Sequence, residues 1–403
     1  MSFKFINKKR IAMASIAQYH YRASGPVSQH LVRYPTPGDI TSYFNFGFIS
    51  GVLLTFQIIS GAFLAIYYNP DPLFAFDSIQ DVVRDVPFGW IFRYVHTNGA
   101  SLFFIAVYIH MFRGIFYGSF IRPKQKIWLS GLVIYLLMMA IAFFGYVLPW
   151  GQMSFWGATV ITGLFSAIPV FGTDLATLIL GSSTVGAVTL YRFFILHIIL
   201  PFVLLAIVGL HIYFVHQEGT SSPMVDESFY IFFHSYFLLK DLFSILVVLI
   251  IFCLIILIDP HLFDHPDNYI PANPLVTPAH IVPEWYYLPF YAILRSVPNK
   301  FIGVVLMFGA IFILVTIPYT TKELPIKNGK RSPVFILAFW FLVASCVLLG
   351  FVGGQVPEEP YVGIGMFCTC YYFFFFCVLL PNAQKISDWI FKHVDKTKSA
   401  DNK

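Results

Sequence analysis

Apolar residues in this chain come in long unbroken runs, not in alternating or narrow amphipathic stripes. Eight such runs stand between short polar segments, at roughly 43–68, 94–117, 127–148, 191–214, 242–259, 301–320, 333–353 and 361–380. Each is near the ~20 residues that a helix needs to cross a hydrocarbon core about 30 Å thick. In lipid a backbone must satisfy its own hydrogen bonds, which leaves helices or a closed barrel. A barrel would show alternating segments of about 10 residues. The pattern therefore predicts an all-α polytopic membrane protein with eight transmembrane helices. Turn residues sit where the runs break: Asn69-Pro70-Asp71-Pro72 after the first, Arg122-Pro123-Lys124 before the third, Asp259-Pro260 after the fifth.

Composition agrees. Of 403 residues 58% are hydrophobic and 11% charged, against about a quarter charged in soluble domains. Charge also sets the orientation. Eight spans put both termini on one face, and the basic residues gather there. They lie in the N-terminal segment (Lys4 to Arg33), the second loop (Arg113, Arg122, Lys124, Lys126), the fourth (Lys240), the sixth (Lys322, Lys327, Lys330, Arg331) and the C-terminal segment (Lys385 to Lys403). That face is the synthesis side, matrix or cytoplasm. Acids such as Asp71, Asp85, Asp264 and Asp267 fall in the opposite loops. The basic N-terminal segment lacks the apolar core and small-residue cleavage site of a signal peptide and reads as interfacial. The five cysteines lie in apolar runs without a Cys-x-x-Cys-His motif and read as packing thiols.

Two outer loops are only partly polar. Residues 149–190 hold Trp150, Phe155, Trp156, Ile161 and Leu164, and residues 260–300 hold many prolines and the run Pro283-Glu284-Trp285-Tyr286. Such loops suggest short interfacial helices that roof a pocket.

The candidate chemistry lies in four histidines. His96 and His110 are fourteen residues apart in the second run, and His197 and His211 are fourteen apart in the fourth. Fourteen residues make nearly four helical turns, so each pair faces one way with about 21 Å between its members. Two such helices side by side offer two stacked sites, one near each membrane face. Gly47 and Gly61 in the first run, and Gly131 and Gly145 in the third, repeat the spacing. Each glycine clears room for something flat and wide to approach the backbone. Two imidazoles on one heme iron fill both axial positions, which suits electron transfer and not oxygen binding. A structural zinc site would want four ligands, and no third ligand recurs at either level. Arg93 and Arg113 flank the second-run histidines and suit heme propionates. For Arg192 a snorkelling role is weighed equally.

At this point the chain resembles the cytochrome b family, the membrane core of the ubiquinol–cytochrome c reductases. The likeness runs from about Tyr34 to Pro381. It is carried by Asn45-Phe46-Gly47, by Arg93-Tyr94-Val95-His96-Thr97-Asn98-Gly99-Ala100-Ser101, by Gly145-Tyr146-Val147-Leu148-Pro149-Trp150-Gly151-Gln152, by Pro283-Glu284-Trp285-Tyr286 and by Ala292-Ile293-Leu294-Arg295-Ser296-Val297-Pro298-Asn299-Lys300. The single chain and the fourteen-residue spacing of His197 and His211 favour the respiratory over the photosynthetic branch.

The resemblance implies two non-covalent b-type hemes. His96 and His197 would bind a low-potential one near the outer face, His110 and His211 a high-potential one near the inner face. It implies an outer pocket for ubiquinol oxidation, walled by Met139, Tyr146, Gly157, Pro283, Glu284, Tyr286 and Tyr291. There Glu284, a carboxylate on a semi-apolar loop, takes a quinol proton. It implies an inner pocket for quinone reduction at His216, Thr220 and Asp241, beside Lys240, with His216 and Asp241 bonding the quinone carbonyls. It implies as partners a Rieske iron–sulfur protein, a membrane-anchored c-type cytochrome, further subunits, membrane lipid and a second copy in a homodimeric complex, and no nucleic acid. The expected division is an N-terminal interfacial segment (1–42), a four-helix diheme bundle (43–220), a C-terminal transmembrane domain with the quinone loop (221–381) and a polar tail (382–403). The expected site is the mitochondrial inner membrane with both termini in the matrix; a bacterial cytoplasmic membrane is the alternative. A transporter with a histidine proton relay is the competing class, but it requires neither equal spacing nor facing glycines.

Overall fold

The computed structural model describes residues 32–222, 229–327 and 330–401. The expected N-terminal interfacial segment therefore falls largely outside the described residues. Among them, eight helices are long and apolar enough to cross a membrane: Ser42–Tyr67, Gly89–Tyr117, Gln125–Val147, Ala187–Glu218, Tyr236–Ile258, Lys300–Thr320, Pro333–Gly353 and Tyr361–Leu379. The second, fourth and fifth begin four to six residues before the apolar runs do. In the second and fifth, Arg93 and the Lys240-Asp241 pair lie in the first two turns and dilute the hydropathy without breaking the helix.

The first span packs on the second and the third on the fourth, making a four-helix bundle. The sixth, seventh and eighth spans share a second apolar core, with Ile317, Leu342, Leu349, Phe375 and Leu380 fully buried. The inner ends of the second and third spans join that core through Ile115, Phe120, Trp128 and Leu132.

Cross-chain ties sort by face, as an even number of crossings requires. On the inner face Pro35–Pro37 pairs antiparallel with Tyr230–Phe232, Arg331 donates to the Tyr117 carbonyl at 3.0 Å, and Ser387 donates to Ser332 at 2.7 Å. On the outer face Gly151 bridges Pro271, Gln152 donates to the Val276 carbonyl at 3.0 Å, and Asn98 donates to the Pro260 carbonyl at 2.9 Å.

The outer loops contain the expected short helices, Gln152–Phe165, Gly172–Leu180 and Leu288–Arg295. Two further helices were not expected. Ala75–Arg84 buries Ala75, Ile79 and Val82. The segment expected as a polar tail is the helix Ala383–Asp401. Ala383 and Ser387 are buried and Ile386 and Ile390 half-buried, a stripe at i, i+3, i+4 and i+7.

One contact joins the two halves through a backbone defect. Pro318 lies inside the sixth span and has no N–H to give the carbonyl of Leu314, four residues earlier. The indole of Trp128, on the third span, donates to that carbonyl at 2.8 Å instead. Trp128→Phe is expected to lower the stability of the detergent-solubilised protein by about 1–2 kcal/mol. The loss should shrink in a Pro318→Ala background, where the backbone amide returns. Equal losses in both backgrounds, read from thermal unfolding, would show that the indole does not serve this carbonyl.

Candidate functional site

The second span places His96 and His110 on one face, and the fourth places His197 and His211 opposite. The ring centres of His96 and His197 are 6.0 Å apart, and those of His110 and His211 are 6.4 Å apart. A metal–imidazole bond is about 2 Å long, so two imidazoles on opposite sides of one ion put their ring centres roughly 6 Å apart. Both pairs meet that requirement. Among the described residues no group of three or more His, Cys, Asp or Glu could hold a metal ion. Each pair therefore brings two imidazoles to a spacing that would suit one metal ion carried by a group such as a porphyrin.

The glycines lie against these rings, level by level. A Cβ at Gly47 would sit 3.0 Å from the His110 ring, at Gly61 2.9 Å from the His96 ring, and at Gly131 3.3 Å from the His211 ring. At Gly145 it would overlap the His197 ring outright. Ring orientation is set from the same helices. Ser60, beside Gly61, is 2.9 Å from Nδ1 of His96, and Ser130, beside Gly131, is 2.9 Å from Nδ1 of His211. Nδ1 of His197 lies 2.8 Å from the Ile141 carbonyl. In these three, a hydrogen bond at Nδ1 leaves Nε2 free as the ligand atom.

Cations sit by both pairs. Arg113 reaches Nδ1 of His110 at 3.1 Å and Ser119 at 3.3 Å, and its buried Nε has no partner. Such a donor fits a carboxylate-bearing ligand beside the inner pair. Arg93 lines the cavity at the outer pair. Arg192 instead donates to the Leu178 carbonyl at 2.9 Å.

A cavity of about 270 Å³ holds the outer pair together with part of the expected outer pocket. His96, His197, Tyr146, Glu284 and Tyr286 all line it. Met139, Gly157, Pro283 and Tyr291 are not among its lining residues. The Met139 carbonyl accepts from Tyr287 at 2.6 Å, Tyr291 lies under the Arg295 guanidinium at 5.0 Å, and Gly157 borders the Tyr146 ring. The Glu284 loop is pinned from beneath. Trp285 donates to Ser101 at 3.0 Å, Tyr108 donates to the Tyr286 carbonyl at 2.5 Å, and Tyr286 stacks on Phe104 with ring centres 3.8 Å apart. Burial pushes the Glu284 carboxyl up to about 8; Asp264 adds to the rise, and a hydrogen bond from Tyr146 opposes it.

The expected inner-pocket residues border one stretch of chain. His216 packs on the Tyr34 ring at 4.5 Å. Lys240 donates to the Ile40 carbonyl at 2.5 Å, and Asn45 donates to Ser244 at 2.6 Å and to the Lys240 carbonyl at 3.1 Å. Asp241 is buried, and Thr220 lies in the loop after the fourth span. Residues 34–45 thus wall both His216 and the start of the fifth span.

Sequence reasoning missed Ser60 and Ser130, although a serine precedes a spaced glycine in both places. It also missed Asp264 as a neighbour of Glu284, which no spacing signals.

Comparison with known proteins adds the family. A profile described as Cytochrome b/b6/petB matches residues 31–219, and one described as Cytochrome b(C-terminal)/b6/petD matches residues 271–373. Cytochrome b of Rickettsia bellii is 50% identical over 357 residues, 88% of this chain and 89% of that protein. Cytochrome b of Chondrus crispus is 47% identical over 369 residues, 90% of this chain and 96% of its own. A solved structure titled hyperthermophilic respiratory Complex III superposes with a TM-score of 0.83 at 35% identity, covering 90% of this chain and 96% of that one. By the profiles, the relatives and the eight-span architecture, this chain belongs to the cytochrome b family.

Proposed function

We propose that this chain is the diheme core of a respiratory Complex III-type ubiquinol–cytochrome c oxidoreductase. It oxidises ubiquinol at an outer pocket and reduces quinone at an inner one, coupling the two to proton translocation. The observation that carries the reading is the pair of imidazole couples at 6.0 and 6.4 Å, each backed by glycine. When bound, b-type heme at each couple supplies one-electron transfer between the two faces. His96 and His197 would hold the outer heme and His110 and His211 the inner one, with Arg93 and Arg113 available to pair with carboxylates on them.

Glu284 takes the quinol proton. It lines the same cavity as His96 and His197, and its raised pKa places it near the operating pH of a general base. Tyr146 steadies the ionised form by donating to it. On the inner face His216 and Asp241 bond the quinone carbonyls and deliver protons, with Thr220 at the rim. The reading implies a Rieske iron–sulfur protein and a membrane-anchored c-type cytochrome as electron acceptors, in a homodimeric complex of several subunits. It places the chain in an energy-transducing membrane, the mitochondrial inner membrane or its bacterial counterpart, with both termini on the matrix or cytoplasmic side.

His110→Leu is expected to remove roughly half of the b-type absorbance in dithionite-reduced spectra, since one of two bis-imidazole sites is lost. A normal spectrum would overturn the ligand pairing. A carboxyl with its pKa raised to about 8 is mostly protonated at neutral pH, and only the ionised form accepts a proton. Quinol oxidation should therefore rise with pH through a limb near that value and level off above it. Glu284→Gln should abolish the limb and slow turnover by on the order of 100-fold with both hemes retained; unchanged turnover would remove Glu284 from the reaction. Asp241→Asn should slow re-oxidation of the reduced b-type absorbance by added quinone about tenfold, leaving quinol oxidation unchanged under an outer-site assay. A defect confined to quinol oxidation would reverse the two pockets.

A further inference from the structure

A second cavity, of about 50 Å³, adjoins the first on the outer side. Glu284, Asp264, Asn268, Arg93 and Tyr146 line both. One water needs roughly 10–15 Å³, so the space takes a short file of waters with polar groups around it. Glu284 is thus connected to Asp264 by a polar passage that leads away from the histidines.

From Asp264 outward the contacts are direct. The Tyr269 hydroxyl donates to Oδ2 of Asp264 in a short hydrogen bond. Nδ1 of His261 lies 2.7 Å from the same hydroxyl and 3.5 Å from Oδ2 of Asp264. Exposure grows along this line, with the Asp264 side chain 21% exposed and that of His261 49%. Two half-buried carboxyl groups, an exposed phenol and an exposed imidazole therefore form a ladder from cavity to water.

We propose that Asp264, Tyr269 and His261 form a proton relay that carries the quinol proton from Glu284 to the water on the outer face. The proposal rests on the reading of Glu284 as the quinol base. In the first step the O–H bond of the Glu284 carboxylic acid breaks, and the proton passes along the water file to the Asp264 carboxylate. In the second, the Tyr269 hydroxyl turns from Asp264 to His261; the Asp264 acid then gives its proton to the Tyr269 oxygen while the hydroxyl gives its own to Nδ1 of His261, whose imidazole carries its proton on Nε2. One proton moves, no electrons are exchanged, and the imidazolium releases its proton to solvent.

The charged and titratable groups facing this line are Arg93 and Tyr94 from the second span, Tyr146 from the third, and His265 and Asp267 from the loop itself. Asp264 acts on Glu284 in two separable ways. Its charge helps hold the Glu284 carboxyl high, and its oxygen receives the proton. Removing the charge alone would move the pH limb of quinol oxidation downward and leave the plateau rate as it was. Removing the acceptor lowers the plateau itself.

The test is steady-state quinol oxidation by the purified, heme-loaded complex, measured across the pH range of the Glu284 limb. Asp264→Asn is expected to shift the limb to lower pH and cut the plateau about tenfold, with Asp264→Glu restoring it. Tyr269→Phe, which keeps the Asp264 charge, is expected to cut the plateau similarly without the downward shift. An Asp264→Asn limb shift with an unchanged plateau would overturn the relay, as would an unchanged plateau in Tyr269→Phe. The b-type spectrum reports assembly of each variant; should Asp264→Asn fail to assemble, Tyr269→Phe and His261→Gln carry the same test. Slow Glu284→Gln with fast Asp264→Asn and Tyr269→Phe would sink the relay alone. Fast Glu284→Gln would sink the base assignment beneath it.

Discussion

The structure depends on bare backbone facing an imidazole ring across each antiparallel helix pair. Gly47 and Gly61 meet His110 and His96, and Gly131 and Gly145 meet His211 and His197. A Cβ would press on the ring at Gly47, Gly61 and Gly131 and overlap it at Gly145, so helix separation and side-chain volume are fixed together. The first and second spans run in opposite directions, which is why the earlier glycine faces the later histidine. The same holds for the third and fourth. Equal spacing in all four helices follows from this geometry: a shift of one residue in either member would turn a glycine away from its ring by about 100°. The serines at 60 and 130 belong to the same device, since the residue that precedes the bare backbone orients the ring.

The second half of the protein is held to this bundle at both faces, and the outer attachment positions the Glu284 carboxyl. The run from Pro283 to Tyr287 has little regular structure, and its anchors come from elsewhere. Ser101 and Tyr108 on the second span hold Trp285 and the Tyr286 carbonyl. The Met139 carbonyl on the third span holds Tyr287. Asn268 ties the preceding loop to Ser154, whose amide and hydroxyl both lie 2.9 Å from its Oδ1. Glu284 is therefore fixed relative to the histidine helices, although nearly 90 residues separate it from His197 in sequence.

What was legible in the residues follows from local rules. Span number, the stacked histidines and the facing glycines all rest on periodicity, which a single helix imposes on its own sequence. The interfacial helices of the outer loops were visible as semi-apolar stretches. The helix at 383–401 was not, because its buried face is made of Ala383 and Ser387 among many charges, and only the groove beside Ser332 makes that stripe useful. Ala75–Arg84 was hidden in the same way. Tertiary pairings were least legible. Nothing local says that Trp128 serves the carbonyl left bare by Pro318, or that Asp264 shares a cavity with Glu284. Met139, Gly157, Pro283 and Tyr291 came with the resemblance, and the structure sets them outside the cavity that holds Tyr146, Glu284 and Tyr286.

The two levels differ in their charge, and the difference bears on direction. In the proposed function an electron arriving at either level would add negative charge, so nearby cations favour its arrival and anions oppose it. At the outer level Arg93 is matched against Asp264 and Asp267, both of which act on Tyr146, while Glu284 is largely neutral at pH 7. At the inner level Arg113 reaches His110, and Lys124 donates to Ser221 at 2.9 Å, which in turn lies 3.1 Å from Ser119 in the reach of Arg113. Burial and the Arg113 charge bring the Lys124 ammonium down to about 8, still mostly protonated at neutral pH, with Glu218 supporting the charged form. The balance is thus negative outside and positive inside. Low dielectric strengthens both effects, because these groups lie at the margins of a bundle that excludes water. Under the proposed function such a gradient would favour electron occupancy at the inner pair, in the direction that quinol oxidation outside and quinone reduction inside require.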